Sequence, residues 1–385
     1  MFKLSKKNVK KTYNLPKNVE FCKSCVVSNQ RPRISFNKNG ICNACENLKD
    51  KIKINWHDRE KELKDLLSRY RRKDGKFDVI VPSSGGKDSA VVAHKLKHKY
   101  NMNPLTVTWA PHIYTDIGWK NFQGLIHSGL TNILCTPDGK VHRRLTRDSL
   151  IEIGDPFQPF IYGQVSFPVK MAIQFGVSLI MDGENGEFEY GGEKSASEKS
   201  FSPKDEIKYW FSDFEAKKWL KKGYTNKEMD IYMSPSIDEI LSNKINRQFW
   251  SYYQFWDPQE HYYYSTKNTG FKANPDGRSE GTFSKYASLD DAIDGFHFYF
   301  MFLKFGIGRA TSDAAHEIRD KHLKREEGVK LVKKYDGEFP KKYYNKFLKY
   351  CNINEKEFNK ICDRWRSDHL WTKKNGKWKL NKQVS

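Results

Sequence analysis

No stretch of this 385-residue chain approaches the roughly 20 consecutive apolar residues that a membrane helix requires. A spanning helix is not expected. The opening, Met1-Phe2-Lys3-Leu4-Ser5-Lys6-Lys7, has no apolar h-region, so the expectation is a cytoplasmic protein without a secretory signal. No unit recurs at a fixed period, which argues against a solenoid or propeller. Cysteine is scarce, at seven residues, and none is placed as an N-terminal nucleophile or followed by the His-x-Glu pair of a glutaminase. Acidic residues are outnumbered, leaving a net charge of +21. That surplus fits an anionic partner, yet it is dispersed through a Lys/Asn-heavy composition and chooses no substrate. What remains is 38% hydrophobic and 14% aromatic, the composition of a globular protein long enough for two or three domains.

The most informative stretch is Phe77-Asp78-Val79-Ile80-Val81-Pro82-Ser83-Ser84-Gly85-Gly86-Lys87-Asp88-Ser89. Residues 77–81 read as a buried strand, and Ala90 to Ala93 with Leu96 supply an apolar helical face. Between them Gly85 and Gly86 permit positive φ and close backbone approach, and the unpaired N–H groups of the helix start favour an anion. Lys87 adds a full charge. The pattern is not the common nucleotide loop, which needs a glycine where Val81 stands and a Ser or Thr where Asp88 stands. The hexapeptide Ser84-Gly85-Gly86-Lys87-Asp88-Ser89 resembles instead the pyrophosphate loop of the ATP pyrophosphatases, which split ATP between its α and β phosphates.

Upstream, Cys22-Lys23-Ser24-Cys25 and Cys42-Asn43-Ala44-Cys45 are separated by sixteen residues. Two such knuckles suit a closed tetrahedral zinc site with a folding role; redox chemistry or an iron–sulfur cluster are the alternatives. Cys135, Cys351 and Cys362 have no partner at ligand spacing and read as packing residues. Residues 56–72 pattern as an amphipathic helix. After the loop, a second strand over 105–109 and a third over 131–135 imply parallel pairing through right-handed crossovers, with a nucleotide across the strand ends. Residues 154–164 are too rich in Gly and Pro for a regular element and read as a loop over the site, followed by a helix over about 167–175.

A strand over 177–181 runs into Asp182-Gly183-Glu184-Asn185-Gly186-Glu187-Phe188-Glu189-Tyr190-Gly191-Gly192. Its carboxylates, opposite a phosphate loop, suit magnesium on ATP, with Glu189 the least certain member. Residues 193–290 bring aromatic clusters, more in keeping with the core of a helical insertion than with a stacking surface; 195–200 and 266–281 read as polar and mobile. Lys304, Arg309 and Arg319, near the turn Gly306-Ile307-Gly308, are candidates for the pyrophosphate end of ATP. The remainder, with Trp365, Trp371 and Trp378, reads as charged helix forming a small closing domain. The expected fold is α/β, a doubly wound, mainly parallel sheet. Expected boundaries are 1–55 for a basic arm and the zinc module, 56–192 for the core, 193–290 for the insertion and 291–385 for a helical part completing the ATP site.

With the four-cysteine site, the phosphate loop, the Thr115/Gly118/Asn121 segment, residues 154–164, 183–192 and 306–319 all in order, the chain resembles the N-acetyl sugar amidotransferases over about residues 20–340. These are PP-loop enzymes, of PseA and WbpG type, in bacterial surface-polysaccharide and flagellin-glycan pathways, including pseudaminic acid and lipopolysaccharide. The resemblance implies conversion of a sugar acetamido group to acetamidino, with ATP cleaved to AMP and pyrophosphate. It assigns Lys87, Asp88, Glu184, Glu187, Lys304 and Arg309 to catalysis. It assigns Ser84, Gly85, Gly86, Lys87, Asp88, Ser89, Val107, Trp109, Thr115, Asn121 and Gly183 to the nucleotide, the adenine lying on the strand 107–109. Magnesium falls to Asp88, Asp182 and Glu187, and structural zinc to Cys22, Cys25, Cys42 and Cys45. The implied substrate is a free, UDP-linked or CMP-linked acetamido sugar. Ammonia is expected from a separate glutaminase (HisH-like) with a cyclase-like (HisF-like) companion. A PP-loop tRNA-modifying enzyme and a catalytically silent zinc adaptor are the competing readings.

Overall fold

The computed structural model describes residues 5–193, 196, 199–211 and 214–385. The N-terminal arm 1–4 and part of the polar stretch 195–200 lie outside them. Helices α1 (Asn43–Lys51) and α2 (Trp56–Tyr70) lead to β1 (Val79–Pro82), α3 (Lys87–His98) and β2 (Pro104–Trp109). Next come α4 (Asp116–His127), β3 (Thr131–Cys135), α5 (Gly139–Glu152), α6 (Gln158–Phe175) and β4 (Leu179–Asp182). A fifth strand, β5 (Asn246–Phe249), precedes α7 (Pro258–Asn268). All five strands are parallel, in the order β3-β2-β1-β4-β5.

Alternation along these strands separates two cores. Ile80, Leu105, Val107, Trp109 and Ile180 face α6. Val79, Val81, Leu179 and Met181 face α2 and α3, together with Trp250, Tyr253 and Trp256. The sheet is therefore covered on both sides, as the doubly wound expectation requires. Because successive connections leave β1 toward β2 and later return beside it as β4, the order reverses between β1 and β4. Ligands of such sheets lie at the carboxyl ends of those strands.

Three expectations are corrected. Most of 154–164 is not a loop but the first turns of α6, where Pro159 stands at a position whose N–H has no helical partner anyway. Residues 193–290 are not an all-helical insertion, since they contribute β5 and send Phe211, Trp219 and Tyr232 into the core beneath α6. The tail is not wholly helical. After α8 (Asp294–Phe305), α9 (Arg309–Arg319), α10 (Arg325–Tyr335), α11 (Tyr344–Cys351) and α12 (Glu355–Trp365), it ends in a hairpin of β6 (Trp371–Lys374) and β7 (Lys377–Leu380). Asn375 and Gly376 both take positive φ there, as a tight hairpin turn demands.

The C-terminal helices bury Phe296, Phe300, Phe347, Phe358 and Trp365 in a further aromatic core, in which the Phe296 and Phe347 rings stack at 3.9 Å. The four cysteines pack with Ala314 and Ala315 of α9 and with Val329 and Val332 of α10. Among the described residues no helix is long and apolar enough to cross a membrane.

Candidate active site: a phosphate loop opposite a C-terminal wall

The loop after β1 reaches α3 through Gly86, the N-cap residue, whose helix start receives no side-chain cap. Its first-turn N–H groups are left for an anion. Gly85 holds φ at +89°, and a Cβ there would stand 2.6 Å from the Cα of Phe122 in α4. Ser83 Oγ donates to Ser89 Oγ at 2.8 Å, and Ser89 Oγ donates to the Gly86 carbonyl at 3.2 Å, closing the turn. Ser265 Oγ of α7 donates to the Lys87 carbonyl at 2.8 Å. Lys87 Nζ pairs with Asp88 Oδ2 at 2.5 Å and lies 5.1 Å from the Tyr286 ring centroid. The other Asp88 oxygen is 2.9 Å from His261 Nδ1.

A cavity of about 520 Å³ opens over this loop. It is lined by Ser84, Lys87, Asp88 and Glu184 and, from the C-terminal part, by Asp290, Asp294, His297 and Arg309, with Asp290 hydrogen-bonded to Ser84. Burial raises the Glu184 carboxyl to about 7, and the Asp88 charge reinforces the shift. Burial likewise lifts Asp290 to about 6, with Asp294 and Asp291 adding to it. At Asp88 burial is outweighed by Lys87 and His261, so its carboxyl stays below the usual range. Among the described residues Glu184 has no ion-pair partner. A half-buried carboxylate with no ion-pair partner, lining a cavity beside a phosphate loop, has the oxygen-donor chemistry that a hard cation such as magnesium takes.

The rest of the acidic segment disperses. Asp182 is gripped by Arg247, with Nε to Oδ2 at 2.5 Å and Nη2 to Oδ1 at 3.0 Å. Glu187 is held by Arg33 through both oxygens and accepts from the Glu193 N–H at 2.7 Å. Glu189 receives Lys51 Nζ at 3.0 Å on each oxygen. Asp182 and Glu187, two of the three expected magnesium ligands, are thus tied up in ion pairs at the strand end, whereas Asp88 and Glu184 line the cavity. Gly183 allows the ring of Trp256 to approach, since a Cβ would meet it at 2.9 Å.

Val107 and Trp109 do not form an adenine platform. Both are buried beneath α6, where a Cβ on Gly163 would strike the Trp109 ring. The side chains of Thr115 and Asn121 are likewise engaged elsewhere, although the Asn121 backbone packs against Gly85 of the phosphate loop. Thr115 caps α4 by accepting from the Gly118 N–H at 2.9 Å and donates to the Leu289 carbonyl. Asn121 makes two bonds to the backbone of Lys272, at 3.0 and 2.8 Å. Gly118 brings α4 against Asp290, where a Cβ would stand 2.5 Å from the Cα, and Gly124 does the same at the Thr269 carbonyl, at 2.7 Å. Helix α4 therefore joins the phosphate loop to the segments 269–272 and 289–290.

Arg309 lines the cavity, bound to Asp313 at 2.9 Å, whereas Lys304 lines a neighbouring one. Arg319 sits behind the cysteines and donates to the Glu189 carbonyl at 2.7 Å. Sequence reasoning passed over His261, Tyr286, Asp290, Asp294 and His297. The doublet Asp290-Asp291 was the available signal. His297 Nδ1 is 2.9 Å from both Asp155 oxygens; burial opposes its charge, but Asp155 outweighs it and raises its basicity.

The four-cysteine site is compact. Cys22 Sγ lies 3.9 Å from Cys45 Sγ, and Cys25 Sγ 3.7 Å from Cys42 Sγ. Four thiolates at Zn–S of about 2.3 Å in a tetrahedron stand about 3.8 Å apart, so the donor set fits zinc. The N–H groups of Ser24, Cys25 and Cys42 point at Cys22 Sγ, and Arg325 donates to the carbonyls of Cys22 and Cys25.

Residues 280–385 match the model of a family described as LPS biosynthesis protein WbpG-like, C-terminal domain. An uncharacterised protein of Methanocaldococcus jannaschii, MJ1599, is 33% identical over 87 residues, 22% of this chain and 31% of that protein. The match thus spans about a third of that relative's length. A structure titled as a predicted subunit of tRNA methyltransferase from the same organism overlays 40% of this chain and 74% of its own at 21% identity, with a TM-score of 0.24. NMN synthetase from Francisella tularensis overlays 70% and 94% at 11% identity, with a TM-score of 0.29. Both overlays are loose, and neither bears on the activity of this chain. The matched segment is the one that supplies Asp290, Asp294, His297 and Arg309 to the cavity, so that wall is built by a segment similar to the C-terminal domain of the WbpG-like lipopolysaccharide biosynthesis proteins.

Proposed function

We propose that the protein is an ATP-dependent amidotransferase of surface-glycan biosynthesis, converting the acetamido group of a sugar to acetamidino. The observation that carries this reading is the joining of a pyrophosphate-type loop, at the reversal point of a parallel sheet, to a wall built by the WbpG-like domain around one cavity. The amide oxygen attacks the α phosphorus of ATP; the bond to the β-phosphate oxygen breaks and pyrophosphate leaves, giving an O-adenylyl imidate. Ammonia then adds to the imidate carbon, AMP departs with the C–O bonding electrons, and nitrogen sheds a proton. The chain's part is positioning and charge neutralisation, through the helix N–H groups, Lys87 and Arg309. Magnesium, held by Asp88 and Glu184, would add charge neutralisation at the phosphates.

Ammonia is proposed to come from a separate glutaminase (HisH-like), with a HisF-like companion; pull-down of that glutaminase tests this part. A tRNA-modifying reading needs a reactive cysteine at the cavity, whereas burial raises the Cys135 thiol on β3 and it packs against the core under α6. The experiment is mass spectrometry of acetamido sugars after incubation with the protein, magnesium-ATP and ammonium. The expected product is lighter by the difference between O and NH, with AMP formed, and both are absent in Lys87→Ala. AMP formation on bulk tRNA but on no sugar would reverse the reading.

A further inference from the structure

Beside the phosphate-loop cavity lies a second, of about 320 Å³, and Arg31, His297 and Met301 line both. Lys304 lines only the second. It is 5% exposed, and among the described residues its ammonium has no hydrogen-bond or ion-pair partner. The rings of Phe305, Tyr13 and Trp365 surround it, with centroids 5.3, 5.7 and 5.9 Å from Nζ. Asp155 lines the same cavity and feels the Lys304 charge, but both its oxygens are engaged by His297, so the buried ammonium lacks a direct anionic partner, a cost that aromatic faces offset only in part. Arg31 points the same way. Its Nε donates to the Gly191 carbonyl at 2.6 Å, and it forms no ion pair among the described residues. Arg33, by contrast, is neutralised by Glu187. The same cavity offers Tyr209 and Trp210 as flat apolar surfaces and Ile153 and Ile161 as methyl-sized contacts.

We propose that this second cavity is the acceptor site, and that Lys304 with Arg31 binds the negative charge of an anionic acetamido sugar. The proposal rests on the amidotransferase reading and gives it a substrate class. The anion is either the carboxylate of a sugar acid or the diphosphate of a nucleotide-linked sugar, since both present oxygens to a point charge and a planar fork. The aromatic and isoleucine faces take the ring and the acetyl methyls. The amide then reaches the α phosphate of ATP at the junction lined by His297. Lys304 accordingly leaves the pyrophosphate of ATP to Lys87 and Arg309.

The test is calorimetric binding to the full chain, which needs no turnover. The probes are a diacetamido nonulosonic acid, a UDP-linked diacetamido sugar and neutral N-acetylglucosamine, each against wild type, Lys304→Met and Lys304→Arg. Methionine keeps the length of the side chain inside its aromatic cage, so the fold should hold. The expected result is that one anionic sugar binds, at least about tenfold more weakly to Lys304→Met and within about threefold of wild type to Lys304→Arg, with ATP affinity unchanged. Which anionic sugar binds identifies the source of the charge. In wild type, a saturating non-hydrolysable ATP analogue should leave sugar affinity intact. Loss of ATP binding rather than sugar binding in Lys304→Met, competition between analogue and sugar, or binding of neither anionic sugar would overturn the proposal. Sugar binding without AMP formation would instead sink the amidotransferase reading and leave the anion site standing.

Discussion

Gly85→Ala is the sharpest test of the phosphate loop, because its consequence can be worked from distances. At φ +89° an L-residue costs about 1–2 kcal/mol in the backbone alone. The new Cβ would also stand 2.6 Å from Phe122 Cα and 2.7 Å from Phe122 N, where ordinary contact needs about 3.5 Å. No rotamer change relieves this, since both atoms belong to the α4 backbone. Loop and helix must separate by about 0.9 Å, and a displacement of about 1 Å at a phosphate cradle costs on the order of 100-fold in rate, or about 2.7 kcal/mol. Pyrophosphate release with sugar and ammonium should fall by about that factor, and titration with a fluorescent ATP analogue should show weakened binding. Circular dichroism should remain that of the wild type. ATP binding and turnover within about threefold of wild type would refute the claim that the turn, pinned by Phe122, shapes the anion site.

Other outcomes follow from charges and metal. Lys51→Met removes the cation held at 3.0 Å from both oxygens of the buried Glu189, and urea unfolding should show a loss of about 3–5 kcal/mol; a loss under 1 kcal/mol would mean that His316 alone suffices. With Glu184 raised to about 7, its proton must leave before a cation binds, so affinity for magnesium should rise as pH rises, about tenfold between pH 6 and pH 8. Glu184→Gln should abolish that slope in a magnesium titration. Denaturing release into a colorimetric zinc indicator should give about one zinc per chain. Cys42→Ser should lose it, together with thermal stability, because α9 and α10 pack on the cysteines.

The phosphate loop and the cysteine knuckles were legible because each is local: the side chains and the turn that carries them are adjacent in sequence. The acidic stretch after β4 was not. A single helical turn, Gly186–Glu189, swings successive carboxylates in different directions, and the cations that claim them, Arg33, Lys51 and Arg247, come from distant segments. Alternation could not have shown this. The start of α6 was hidden because Pro159, read as a breaker, occupies the one part of a helix that tolerates it. Lys304 stood out in the sequence as a candidate cation, but the cavity that it lines is set by the packing of α8.

Helix α4 meets the phosphate loop through Phe122 opposite Gly85, the 289–290 segment through Gly118 and the 269–270 turn through Gly124. Every one of these contacts uses the absence of a side chain. A saturation-mutagenesis profile of this helix should therefore be inverted with respect to size. Trp119, its largest residue and 44% exposed, should accept most replacements, whereas Gly118 and Gly124 should accept almost none. Enzymes of this type can then diversify the outer face of the helix, for instance toward different partner proteins, without disturbing the nucleotide that its inner face positions.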